Sequence, residues 1–111
     1  MKLKQLSIFA ALVCIADLNG CQTINLAPPP RVTPELARAG ALPHVDLAAL
    51  REGRALFVSR CIECHTLPAV SQHSATEWPR IIDEMAGRAS LKSTERDAVL
   101  AYILVARSQS R

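Results

Sequence analysis

The sequence is short of aromatic side chains, of glycine and of any strand-like alternation. Of its 111 residues only four are aromatic (Phe9, Phe57, Trp78 and Tyr102) and only four are glycine. So few large flat side chains make a thin core for a small chain that must close on its own burial. No stretch alternates apolar and polar residues with a period of two, so the reading is an all-α fold. No apolar run reaches the roughly 20 residues that a membrane-spanning helix needs. Charge of neither sign dominates: 13 Lys and Arg against 10 Asp and Glu give a net +3. That balance is too weak to imply a nucleic-acid partner. The length excludes a multidomain protein, and no internal repeat is present. A chain that is 50% hydrophobic and 21% charged is not a disordered one.

What is present begins with an export signal over residues 1–20. Lys2 and Lys4 form a basic start, and Leu6 to Ala16 is almost unbroken apolar sequence. That run is the size of the apolar region of a secretory signal. Leu18-Asn19-Gly20-Cys21 follows and resembles the bacterial lipobox. A small Gly20 lets a peptidase close on the bond, and the Cys21 thiol can form a thioether with diacylglycerol. A plain secretory signal with an unmodified cysteine is the other reading. Cleavage before Cys21 removes 20 of the 111 residues, thirteen of them hydrophobic, and takes Cys14 away with them. The net charge falls to +2 because Lys2, Lys4 and Asp17 go.

Residues 21–45 hold Pro28-Pro29-Pro30, Pro34 and Pro43 and keep no apolar period. Such sequence predicts an extended, semi-rigid tether, with at most a helical turn between Leu36 and Leu42. Residues 46–107 read as the folded domain and 108–111 as a tail. Asp46 is an N-cap residue for a helix with Leu47, Leu50, Phe57 and Val58 on one stripe, ending near Ser59 or Arg60. Ser74-Ala75-Thr76-Glu77 resembles a capping box. The second helix nevertheless has to begin at Thr76 or later, so that Pro79 falls in its first turn. Its face is Trp78, Ile81, Ile82, Met85 and Ala89, and Gly87 and Arg88 suit its end. Ser93 is the expected cap of a third helix, with Glu95 at the positive end of its dipole and Val99, Tyr102, Ile103 and Ala106 along one side. About 62 residues with three aromatics rarely close unaided, so something else must fill the centre.

Cys61-Ile62-Glu63-Cys64-His65 supplies it. C-x-x-C-H is the attachment motif of c-type haem. Two cysteines three apart each form a thioether with one vinyl group on a porphyrin edge, and the adjacent His65 offers its imidazole to the iron. Rival chemistries are a structural Cys61–Cys64 disulfide, a thioredoxin-like pair, which lacks its βαβ setting, and a zinc site conscripting His44 and His73. The export signal favours haem, since covalent attachment takes place outside the cytoplasm.

The stretch from about Leu50 to Ala106 resembles the small class I cytochrome c domain. Gly53-x-x-x-Phe57 ahead of the motif is similar to that family's first helix, and Val99-Leu100-Ala101-Tyr102-Ile103 to its last. The resemblance implies that the two helices cross closely at Gly53 with Phe57 and Tyr102 packed beside the crossing. It also implies a minimal three-helix haem crevice and one-electron transfer between iron(II) and iron(III). A family-like sixth ligand is a methionine, whose thioether favours iron(II), and Met85 is the one methionine left after the signal is removed. Met85 lies in a Trp-x-x-Ile-x-x-x-Met pattern with only 19 residues between it and His65. Methionine on such a face is otherwise core filler, and His73 is the other available donor. Trp78 either covers a haem edge or is plain core. Arg54, Arg60, Arg80 and Arg88 are candidates to pair with the haem propionates. Two propionates would offset the +2, so strong electrostatic steering is not implied.

The sequence thus predicts a monomeric, monohaem c-type cytochrome with one covalent haem c, held by Cys61 and Cys64 with His65 and Met85 as axial ligands. It is not an enzyme but a one-electron carrier serving redox partners in the periplasm. Cys21 anchors it by lipid to the outer membrane, since Gln22 is not the aspartate associated with inner-membrane retention. The alternatives are a five-coordinate haem protein that senses a gas or peroxide or acts as a weak peroxidase, and a haem-free structural lipoprotein.

Overall fold

A computed structural model describes residues 28–40, 42, 46–64 and 66–110. The signal residues, Cys21, His44 and His65 lie outside that set. The described residues are helical, with no strand among them: α1 (Pro34–Ala39), α2 (Leu47–Arg60), a 3₁₀ turn (Cys61–Glu63), α3 (Trp78–Arg88) and α4 (Ser93–Ser108). None of these helices is long and apolar enough to cross a membrane.

The helices begin where their first residues satisfy free backbone amides. The Asp46 carboxylate accepts from the Ala49 N–H at 2.6 Å and starts α2, as its sequence predicts. Ser74 and Glu77 form the reciprocal pair of a capping box: Glu77 accepts from the Ser74 amide at 2.8 Å, and Ser74 Oγ accepts from the Glu77 amide at 3.2 Å. Hydrogen bonding to the carboxylate from the Ser74 amide first, and from the Ser74 side chain second, holds the Glu77 carboxyl below the usual carboxylate range. The box caps a turn that leads into α3, and Pro79 falls in the first turn of the helix. One expectation needs correcting. Ser93 is the first helical residue rather than the cap; Lys92 occupies the cap position, and its amide donates to Glu95 at 2.8 Å. Gly87 and Arg88 close α3, as the sequence predicts. The left-handed residue is Ser90, at φ 53°, and its turn closes with Leu91 N–H to Ala86 O at 3.0 Å and Ser90 N–H to Gly87 O at 3.4 Å, a Schellman ending built without glycine.

The core is α2 crossed on α4. Leu50 and Phe57 from α2 pack with Val99, Tyr102, Ile103 and Ala106 from α4, all essentially without solvent exposure. Phe57 and Tyr102 meet at 6.1 Å between ring centroids with planes tilted by 46°, an aromatic pairing distance. A Cβ placed on Gly53 would lie 1.9 Å from Ala98 O and 3.0 Å from Tyr102 Cβ, so this position admits no side chain. α3 closes the core from the other side through Trp78 and Ile82 and is tied to α4 by Arg96, which donates through Nε to Asp83 at 2.6 Å.

Residues 28–40, expected within an extended tether, are folded onto the helices. Arg54 donates to Pro30 O at 3.0 Å and to Pro29 O at 3.2 Å, and the Tyr102 hydroxyl donates to Pro30 O at 2.8 Å. Val32, Leu36 and Ala37 pack against the core. A Cβ on Gly40 would lie 2.7 Å from Val105 Cγ2. Proline favours this docking because its ring and missing N–H keep residues 28–30 out of a helix, so a carbonyl such as that of Pro29 or Pro30 has no helical partner of its own. It therefore stays free to accept from a side chain.

The two glycines of α2 and α3 should respond to the same change with opposite signs. Gly53→Ala should lower the unfolding free energy by about 3 kcal/mol or more, because a methyl meets backbone that cannot yield. Gly87→Ala should raise it by about 0.5–1 kcal/mol, because its Cβ would meet nothing within 4 Å; denaturant unfolding of both variants checks this. Burial pushes the Tyr102 hydroxyl up to about 12 despite the opposing charge of Arg54. The unfolded chain loses that proton near the ordinary value of 10.0. Stability should then be intact below pH 10 and fall between pH 10 and 12. Tyr102→Phe should remove that part of the decline in melts taken across this range.

Candidate functional site

The backbone of α2 does not stop at Arg60 but tightens into the 3₁₀ turn Cys61–Glu63, and Cys64 continues in the right-handed helical region at φ −106° and ψ −33°. In such a turn residues three apart eclipse each other. Cys61 and Cys64 therefore share one side, while Ile62 faces solvent at 55% exposure. The shared side opens on a cavity of about 510 Å³ lined by both cysteines, by Phe57 and Arg60 of α2, and by Trp78, Ile81, Ile82, Met85 and Arg88 of α3. Thr66, Leu67, Pro68, Gln72 and His73 form its third wall. The volume lies within the range of roughly 300–1,000 Å³ found for cofactor clefts.

Of the candidate residues inside the described set, Cys61, Cys64, Met85, His73 and Trp78 all reach this one cavity. Trp78 serves as both core and lining: it is 1% exposed, and its indole N–H donates to Val70 O at 3.0 Å. The His73 ring stands edge-on to it, 5.2 Å away between centroids. Among the four arginines considered for anionic partners, only Arg60 and Arg88 line the cleft, and both are exposed and so sit at its mouth. Arg54 is engaged with Pro29 and Pro30 of the docked N-terminal segment, Arg80 lies outside the cavity lining, and Glu84 pairs with both Arg80 at 3.8 Å and Arg88 at 3.9 Å.

The wall of residues 66–73 was not legible from the sequence as a wall. It is held by the Trp78 bond to Val70, by a turn from Gln72 N–H to Ala69 O at 2.9 Å, and by Arg107, whose Nε donates to His73 O at 2.6 Å. Arg107 carries no motif that could have marked it. Its role follows only from the place where α4 ends.

Both cysteines are free thiols. Burial first, and the neighbouring Cys64 second, push the Cys61 thiol above its ordinary value. Among the described residues no group of three or more His, Cys, Asp or Glu is placed to hold a metal ion. A zinc tetrad would have to draw on His44 or His65. The cleft is thus apolar in its depth, cationic at its mouth, and supplied with two thiols and a thioether. Those donors suit a flat apolar group fixed by sulfur at one edge and carrying anionic substituents toward the arginines.

In the chain made without covalent modification, iodoacetamide should label Cys64 before Cys61 at neutral pH. The Cys61 rate should keep rising to higher pH, because its half-buried thiol resists forming the thiolate. Peptide mass analysis over a pH series measures both rates. Comparison with family models, with curated proteins and with solved structures finds no match to this chain.

Proposed function

We propose that this chain is a lipid-anchored, monohaem c-type cytochrome that carries single electrons in the periplasm. The observation that carries the reading is the convergence of the Cys61 and Cys64 thiols and the Met85 side chain on one apolar cavity, immediately beside a C-x-x-C-H motif. The rest of the lining fits the same group. Cys61 and Cys64 would hold haem by two thioethers from the eclipsed side of their turn. His65 and Met85 would take the two axial positions of the iron. Arg60 and Arg88 would pair with the propionates at the mouth. Phe57, Trp78, Ile81 and Ile82 keep water from the interior of the cleft, and with it the stabilisation that water gives to the more highly charged oxidation state.

Bound in this way, the group supplies an iron that alternates between the ferrous and ferric states. With His65 and Met85 both holding the iron, the group would keep no position for a substrate, and the chemistry it would supply is outer-sphere electron exchange. Cys21 would fix the chain to the outer membrane.

The test is expression with the periplasmic attachment machinery, followed by visible spectra of the oxidised and reduced protein with and without carbon monoxide. The expected result is covalent haem with a low-spin spectrum that carbon monoxide leaves unchanged. Met85→Ala should lose the methionine–iron signature and gain carbon monoxide binding. Ready binding by the native ferrous protein would indicate the five-coordinate sensor or peroxidase instead. A purified chain with no haem and a Cys61–Cys64 disulfide would overturn the cytochrome reading altogether.

A further inference from the structure

The segment between the proposed lipid site and the helices bears on where the cleft can work. If residues 21 to 46 were an extended spacer, their 25 Cα steps would let the domain stand as far as about 90 Å from the membrane. The structure removes most of that length. From Pro29 onward the chain is seated on the helices: Pro29 and Pro30 accept from Arg54, Pro30 accepts also from Tyr102, and Gln109 donates to Ala39 O at 3.3 Å. The seat is shaped as well as bonded, since Gly40 touches Val105 where a Cβ would not fit.

We infer that the docked strap of residues 29–40 acts as a short leash that confines the cleft domain to the membrane surface. Seven Cα steps separate Cys21 from Pro28, and a fully extended chain covers at most about 25 Å over that length. The domain's near edge is therefore held within about 25 Å of the lipid headgroups. Partners fixed further than this from the membrane lie out of its reach, whereas those on the same membrane and those that diffuse to it remain accessible. The inference rests on the reading of Cys21 as the lipidated residue, and it is independent of what fills the cleft.

The experiment is neutron reflectometry of the full lipidated chain in a supported bilayer of phosphatidylethanolamine and phosphatidylglycerol. Mass analysis of the N-terminal peptide is run on the same preparation. The wild-type protein layer should begin within about 25 Å of the headgroups. A 20-residue Gly/Ser insertion between Ala27 and Pro28 touches none of the docked contacts and should move the layer outward by about 15 Å, the difference between the root-mean-square spans of the long and short linkers. The double variant Arg54→Met, Tyr102→Phe should move it outward without an insertion, and should lose the slow hydrogen exchange expected in the wild type at the Leu36, Ala37 and Gly40 amides. A lipidated wild type whose layer coincides with that of the insertion variant would overturn the leash and leave the anchor standing. A chain with no lipid on Cys21 would overturn the anchor and the leash together, while the exchange data would still report whether the strap is seated.

Discussion

The backbone of α2 lies against the backbone of α4 because position 53 has no side chain. Contact at Ala98 O brings the two helix axes close enough for Leu50, Phe57, Val99, Tyr102 and Ile103 to interlock with almost no exposure. A small domain has little apolar surface to bury, so close approach substitutes for size. The crossing also sets the direction in which α2 leaves the core, and the motif cysteines ride on its continuation. Had the helices stood further apart, the thiols would face a different wall.

α4 serves two surfaces from one helix. Toward α3, its residues complete the core behind the cleft, and Arg107 at its end fixes the backbone of His73. Toward the N-terminal segment, Tyr102 and Val105 seat the strap. Tyr102 joins the two functions in a single side chain: its ring packs on Phe57, a cleft residue, and its hydroxyl holds Pro30. A thin supply of aromatics is thus used at the points where two elements must be joined.

Much of this was legible in the sequence because local chemistry decided it. Asp46 caps α2, Pro79 limits where α3 begins, and α3 carries a clear apolar face at helical spacing. The close crossing at Gly53 was implied by the resemblance to the cytochrome c domain rather than by local chemistry. The misses share a cause. Residues 28–40 look like a spacer when judged by composition, because what seats them is hydrogen bonding to carbonyls 24 and 72 residues away in sequence from their donors. No local window contains that information. The end of α3 at Gly87 and Arg88 was legible, whereas the left-handed turn just beyond it fell on Ser90, a residue type that gives no such signal. At the site, the motif and Met85 were visible, whereas the wall of residues 66–73 and its fastening by Arg107 depend on where α4 happens to end. Arg54 was a reasonable partner for an anion until the strap claimed it.

The seat of the strap has a consequence for the order of events during biogenesis. Pro30 precedes Tyr102 by 72 residues, so the first described segment waits for the last helix. A chain that emerges N-terminus first has residues 28–40 in place while α4 is still unsynthesised. Through that interval Arg54 of α2 can reach Pro29 and Pro30, but Tyr102, Val105 and Gln109 have yet to arrive. Completion of the chain is therefore what seats this segment.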